Sequence, residues 1–361
     1  MNTSFLKTNV ARLAGASLAL AGVVIAGAVA TAPAADAAPV KANSAYTVAL
    51  IGDMPYDDLG ALQAPNVINA INKSKVELAL FDGDTMSGKG NKCTDEAYPA
   101  LKTNFFDKFT KPVFYSVGDN EWVDCDRAVK GAYDPATRLA LVRSNFFGAA
   151  GNYITLGKAN KAIVVEHDAA YPEMTMFTYK KVTYIIPHVP GSANNAAVTA
   201  PYKTYNDAAT DGNDAEYKAR DAANVAWINK GFAEATAKNS LGVIVVVQAN
   251  MDWEGYLAAA DKEYTAAYDN VKQALLTNTI AFKKPVLLQN GDEHWYQVDM
   301  PMNETAGKLV QRDKGYLVTN FTRVQTFGSG FNHWVELTID PKNPLLFSFT
   351  PKLIAANIAA H

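Results

Sequence analysis

Short apolar runs that break abruptly into glycine and acid set the rhythm of this chain. Tyr46 to Ile51 ends in Gly52-Asp53 and Val76 to Phe81 in Asp82-Gly83-Asp84. Pro112 to Val117 ends in Gly118-Asp119-Asn120-Glu121, and Pro285 to Leu288 leads through Gln289-Asn290 into Gly291-Asp292-Glu293-His294. Apolar runs of this length between turn residues predict strands buried on both faces. Between them the period lengthens: in Leu59 to Ile71 the side chains of Leu62, Val67, Ile68 and Ile71 fall on one helical face, and Tyr98 to Phe109 predicts a second helix. Strand, helix, strand, helix, strand over residues 45–117 is the alternation of a parallel sheet covered by helices.

The pattern then shifts. Arg138 to Phe147 predicts a helix, and Ala162 to Val165, Thr175 to Tyr179 and Val182 to Ile186 predict shorter strands, the last two a hairpin about Lys180-Lys181. After a polar loop at Gly191 to Asn195, a helix over Glu216 to Ala237 leads into Gly242 to Val247, an all-apolar central strand ending at Gln248, and Tyr264 to Ile280 is the next helix. From Pro285 onward the elements are strands with little helix between: Val286 to Leu288, His294 to Val298, Thr322 to Phe327, Trp334 to Ile339 and Leu345 to Phe349. An α/β first half and a β-rich second half predict two packed mixed sheets with helices outside.

Open α/β sheets keep their sites where the strands end. Asp53, Asp84, Asp119 and Asp292 all stand there, so the expectation is that they converge, and converged carboxylates need a cation. One Asp after Gly is ordinarily turn chemistry; four in strand-end positions exceed what turns require.

Charge and composition narrow the field. Residues 1–38 read as a signal peptide: Lys7 and Arg12, an Ala- and Gly-rich apolar stretch from Leu13 to Ala30, then Ala35-Asp36-Ala37 as a small-residue cleavage pattern. A retained membrane anchor is the rival, weakened by that Ala/Gly content, so the expectation is a secreted or extracytoplasmic protein without stable membrane insertion. Residues 39–361 keep 31 basic and 35 acidic residues and carry no basic stripe, which excludes a nucleic-acid partner. No linker or repeat divides them, so a single domain over 39–361 is expected, of unknown oligomeric state. Cys93 and Cys125 each lie shortly after a Gly-Asp strand end, so their loops are expected to be neighbours; export permits a disulfide, two buried thiols being the alternative.

The order of the strand-end motifs resembles the calcineurin-like metallophosphoesterase superfamily, whose pattern is Asp-x-His, Gly-Asp, Gly-Asn-His-Glu/Asp, a lone His and Gly-His-x-His on an α/β/β/α sandwich. The resemblance spans Ala45 to about Val298 and is one of spacing and order. Carried over position by position, the first Asp is Asp53 with Pro55 in place of the His, and the bridging Asp is Asp84. Asp119 replaces the Asn ligand, Asn120 replaces the His that assists the leaving group, Gln248 replaces the lone His, Asp292 the first His of the last motif, and His294 stands for the second. Trp122-Val123-Asp124-Cys125 further resembles a divergent exported branch in which Gly-Asp-Asn-Glu-Trp is followed closely by Asp-Cys.

The resemblance implies a metal-dependent hydrolase acting on a small phosphate mono- or diester through water activated by two divalent ions. Carboxylates in place of imidazoles make an oxygen-rich ligand set, which suits Mn, Mg or Ca better than Zn. Since Asn120 cannot release a proton, the leaving-group acid is expected to be Glu121 or His188 if not solvent, with Lys89, Arg127 and Arg323 as phosphate clamps and Trp122, Trp253 and Trp295 as possible pocket walls. The alternative is a degenerate member that keeps the scaffold and binds a metal or another ligand without turnover.

Overall fold

The computed structural model describes residues 44–148, 155–197, 213–255 and 262–358; the signal peptide expected over residues 1–38 lies outside the described residues. Val40–His361 clusters as one unit. One sheet is built from β1 (Tyr46–Ile51), β2 (Leu78–Phe81), β3 (Pro112–Tyr115), β4 (Leu156–Gly157), β15 (Trp334–Ile339) and β16 (Phe347–Lys352), in the order β16-β15-β1-β2-β3-β4. Its centre, β1-β2-β3, is parallel as the alternation requires, and β15 and β4 flank it antiparallel. The second sheet comprises β5 (Glu166–His167), β6 (Thr175–Tyr179), β7 (Val182–Ile186), β8 (Gly242–Val246), β9 (Val286–Asn290), β10 (Gln297–Asp299) and β14 (Phe321–Gln325). Its order is β10-β14-β9-β8-β7-β6-β5, with β7, β8, β9 and β14 parallel. A small sheet of β11 (Asn303–Thr305), β12 (Lys308–Val310) and β13 (Tyr316–Leu317) completes the strands.

Alternating side chains explain the layers. Tyr46, Val48 and Leu50 of β1 face the second sheet with Leu78, Leu80 and Phe114, meeting Tyr184, Ile244, Val246 and Leu287 in one buried core. The opposite faces, through Ala49, Ile51, Phe81 and Tyr115, pack under α1 (Asp58–Lys73), α2 (Ala97–Asn104) and α3 (Pro135–Val142). Val243, Val245 and Leu288 pack under α4 (Asp214–Ala237) and α5 (Asp269–Phe282). This is the expected α/β/β/α sandwich. Among the described residues no helix is long and apolar enough to cross a membrane.

Several expectations need correction. Leu62 is 75% exposed: the buried positions of α1 are Gly60, Gln63, Ala64, Val67, Ile68 and Ile71, and Leu62 lies out of phase with that stripe. The strand expected at Ala162 to Val165 begins only at Glu166, because Asn160 accepts the Ala162 N–H (3.0 Å) in a local turn that takes the backbone out of the ladder. The helix expected through Phe147 changes to π geometry at Arg143, and β10 starts after His294, whose φ of 70° belongs to a turn.

Candidate functional site

Three of the four Gly-Asp pairs share one packing reason. A Cβ on Gly52 would sit 1.4 Å from Asp82 Oδ1, one on Gly118 1.9 Å from Asp84 Oδ1, and one on Gly291 2.3 Å from Asp53 Oδ2. These three glycines leave bare backbone on which a carboxylate from the neighbouring strand or, for Gly291, from the facing sheet rests, so the dipeptide lets the strand-end acids approach one another. Asp53, Asp84 and Asp292 themselves have φ of 50°, 57° and 80°, a left-handed region costly for residues with a Cβ and characteristic of functional turns.

Asp53, Asp84 and Asp292 converge through shared donors, and Asp119 faces the same cavity as Asp84 and Asp292. The Tyr56 hydroxyl lies 2.7 Å from Asp84 Oδ2 and 3.1 Å from Asp53 Oδ1. Asn120 Nδ2 donates to the same Asp84 oxygen at 2.8 Å, and Gln248 Nε2 donates to it at 3.1 Å and to Asp292 Oδ1 at 3.3 Å. The Asp292 N–H reaches both Asp53 oxygens at 3.2 Å. Ser192 Oγ stands between Asp119 Oδ2 (2.6 Å) and Asp124 Oδ1 (2.8 Å), and Arg127 pairs with Asp124 at 2.8 Å. Beneath them Asp82 accepts from Gln289 (2.8 Å) and Thr326 (2.9 Å), while its Oδ1 and Asp119 Oδ1 are buried without a hydrogen-bond partner among the described residues.

So many enclosed carboxylates are short of positive charge. Burial, with the charges of Asp82 and Asp292, lifts Asp53 well above the ordinary carboxylate range; burial, with Asp119, Glu121, Asp53 and Asp292, does the same to Asp84. Burial and the Asp119 charge push Asp124 up to about 8 against the opposing pull of Arg127. Asp292 keeps one face open to the pocket, yet burial and Asp119 push it up to about 7. Asp84, Asp119, Asp124 and Asp292 wall a cavity of about 320 Å³ together with Tyr56, Tyr264, His294, Ser192 and a basic side formed by Lys89 and Arg127, while Asp53 lies fully buried behind it. The His294 ring packs edge-on to Tyr56 (5.0 Å between centroids), lies 3.6 Å from Asp53 Oδ1, and burial holds it neutral by lowering its pKa.

Not every expected site residue is there. Glu121 is fully buried behind the rim, where Oε1 accepts both the N–H and the hydroxyl (2.6 Å) of Thr85, and it does not line the cavity. His188 is 1% exposed, bonded through Nδ1 to Glu173 at 2.9 Å and packed on Trp122 at 5.3 Å, so it too is remote from the pocket. Arg323 is no phosphate clamp: it is buried, paired with both Asp299 oxygens (2.9 and 2.8 Å) and with Glu254, and donates to Asn250 at 3.1 Å. None of the three tryptophans reaches the cavity. Gln248 lies at the expected place with the wrong atom inward, because the Gly191 N–H holds its carbonyl oxygen and leaves an N–H group facing the acids, which cannot ligate a cation. Cys93 and Cys125 form a disulfide (Cα–Cα 5.7 Å) that fastens the Gly88-Lys89 loop to the segment carrying Asp124. Tyr56 and Ser192 carry no signal in the sequence; Asp82 and Asp124 carry one each, in Asp82-Gly83-Asp84 and in the Asp-Cys dipeptide.

A bridging pair of ions does not fit this donor set. Asp84, expected to bridge the two ions, has its Oδ2 committed to three protein donors, and among the described residues no three His, Cys, Asp or Glu side chains gather into an all-protein metal site.

No family model matches the chain, and no curated protein does. Among solved structures the chain is similar to one described as "GAP50 the anchor in the inner membrane complex of Plasmodium", at 12% identity and a TM-score of 0.42, over 88% of this chain and 95% of that one.

Proposed function

We propose that this chain is an exported relative of the calcineurin-like metallophosphoesterases that binds a positively charged ligand at its rim pocket without two-ion hydrolysis. The observation that carries the reading is the Tyr56 hydroxyl between Asp53 and Asp84, joined there by the Asn120 and Gln248 amides: neutral protein donors stand where a bridging pair of cations would. What remains is a pocket in which Asp84, Asp119, Asp124 and Asp292 outnumber Lys89 and Arg127. Burying unpaired negative charge is costly, so a ligand that supplies positive charge gains what water cannot give those acids. A single hydrated divalent ion and an organic ammonium share that chemistry. The disulfide and the leader pattern support an extracytoplasmic setting.

Metal content and calorimetric titration of the purified protein with Mg, Ca, Mn and spermidine distinguish the two sources. At most one cation per chain is expected, with no turnover of phosphomono- or diesters that Asp84→Asn abolishes. Two bound ions and ester hydrolysis lost in Asp84→Asn would establish the hydrolase instead. That second reading has one observation in its favour: Lys89 and Arg127 face the same cavity as the acids, a pairing that suits an anionic ester.

A further inference from the structure

The segment Ser192–Asn195, one side of the rim pocket, has four consecutive non-glycine residues in the left-handed region, with φ of 47°, 54°, 54° and 59°. Single residues visit this region; a run of four with side chains is held there only when its surroundings over-determine it. The holding groups come largely from α4, on the outer layer. Arg220, 0% exposed, donates to the Asn194 carbonyl (2.8 Å) and to the His188 carbonyl (3.0 Å), and also binds the Asn194 side chain. Glu216 balances its charge at 2.6 Å and in turn accepts from Asn195 Nδ2 at 2.8 Å. From α5's side, the Tyr268 hydroxyl accepts the Asn194 N–H at 3.2 Å. The product of all this is one placement: the Ser192 hydroxyl between the Asp119 and Asp124 carboxylates.

We infer that Arg220 is a positioning residue for the pocket: through the strained turn it sets Ser192 between Asp119 and Asp124, and Ser192 thereby limits how strongly the pocket draws positive charge. A serine hydroxyl carries one hydrogen, so it relieves these two acids only in part, and Asp119 Oδ1 keeps no partner among the described residues. Removing the hydroxyl leaves both carboxylates needier, and a cation compensates. The binding half of the inference rests on the cation reading given above; the strain half does not.

Terbium(III), a hard cation whose emission nearby tyrosines sensitise, is the probe. Ser192→Ala is expected to bind it about threefold to tenfold tighter than the parent protein, and Arg220→Gln to do the same while melting at lower temperature. A merely structural Arg220 would give a looser pocket that binds terbium equally or more weakly, and that result overturns the inference. Ala193→Gly, which puts glycine where φ is 54° but also deletes a buried methyl, is expected to keep Tm unchanged or slightly raised, the released strain offsetting the roughly 0.8 kcal/mol of lost burial. A Tm lowered by about 2 °C or more, the cost of the methyl alone, overturns the strained positioning whether or not terbium binds. A parent protein that fails to bind terbium while Ala193→Gly keeps its Tm removes the charge-limiting role of Ser192 together with the cation reading.

Discussion

Replacing Asp124 with asparagine tests whether the rim is short of positive charge. Asp124 is 3% exposed, and burial with the Asp119 charge raises it from 3.8 to about 8. Because its folded value lies above its unfolded value, the stability it contributes is complete below about pH 4 and is lost as pH rises toward 8. Between pH 4 and 7 that loss is on the order of 4 kcal/mol, at about 1.4 kcal/mol per pH unit. The amide introduced by Asp124→Asn can still accept from Ser192 and Arg127, which both reach Asp124 Oδ1 at 2.8 Å, so the geometry tolerates the change. Thermal melts from pH 4 to 8 with chelator present are the assay. The parent and Asp124→Asn should melt together near pH 4 and diverge as pH rises, the variant ending several degrees higher, at about 2 °C per kcal/mol. Parallel curves across that range, or a variant that falls further behind at pH 8, would refute the electrostatic argument.

Other expectations follow from the same geometry. Tyr56→Phe removes the hydroxyl between Asp53 and Asp84, should cost about 1 to 3 kcal/mol in chemical denaturation, and should tighten divalent-cation binding in calorimetry, since the vacated place then suits an ion. Glu173 is a depressed acid: burial alone would raise it, but hydrogen bonds from His188 and Arg143 hold it at about 2. Its contribution is therefore present above about pH 4.5 and lost as pH falls toward 2, and Glu173→Gln should remove up to about 3 kcal/mol at neutral pH and flatten the acid limb of the unfolding curve. Opening the 32-residue Cys93–Cys125 link by Cys93→Ser with Cys125→Ser should lower stability by about 3 to 4 kcal/mol in guanidinium titrations. Arg323→Met should destabilise by about 3 to 5 kcal/mol, because Asp299 and Glu254 lose a buried partner, and should leave cation binding at the pocket unchanged.

The apolar runs were legible because a strand buried on both faces has no polar positions to spare, and β1, β2, β3, β8 and β9 emerge within a residue or two of their expected ends. Their terminal acids could be placed from the same signal, since topology puts parallel strand ends at one rim. Roles within the rim were not legible, because they depend on which atom of a side chain faces inward. Gln248 is held by the Gly191 N–H and turns its donor toward Asp84; His188 and Glu121 follow the ends of β7 and β3 but point behind the rim, toward Glu173 and Thr85. Tyr56 follows a Met-Pro break that read only as an end to a strand, and Ser192 sits in a polar loop whose left-handed turn is fixed by Arg220, distant in sequence. Such residues are selected by contacts that no local pattern records.

Isothermal titration of the intact protein at pH 7 with Ca, Mn or spermidine, repeated in two buffers of different ionisation enthalpy, tests the central claim most directly. Enclosed acids that hold protons for want of positive charge must give protons up when a cation binds, so saturation by one ligand per chain with net proton release is predicted, and Asp124→Asn should release fewer. Heats independent of the buffer, or two ions bound together with hydrolysis of a phosphate ester, would contradict it.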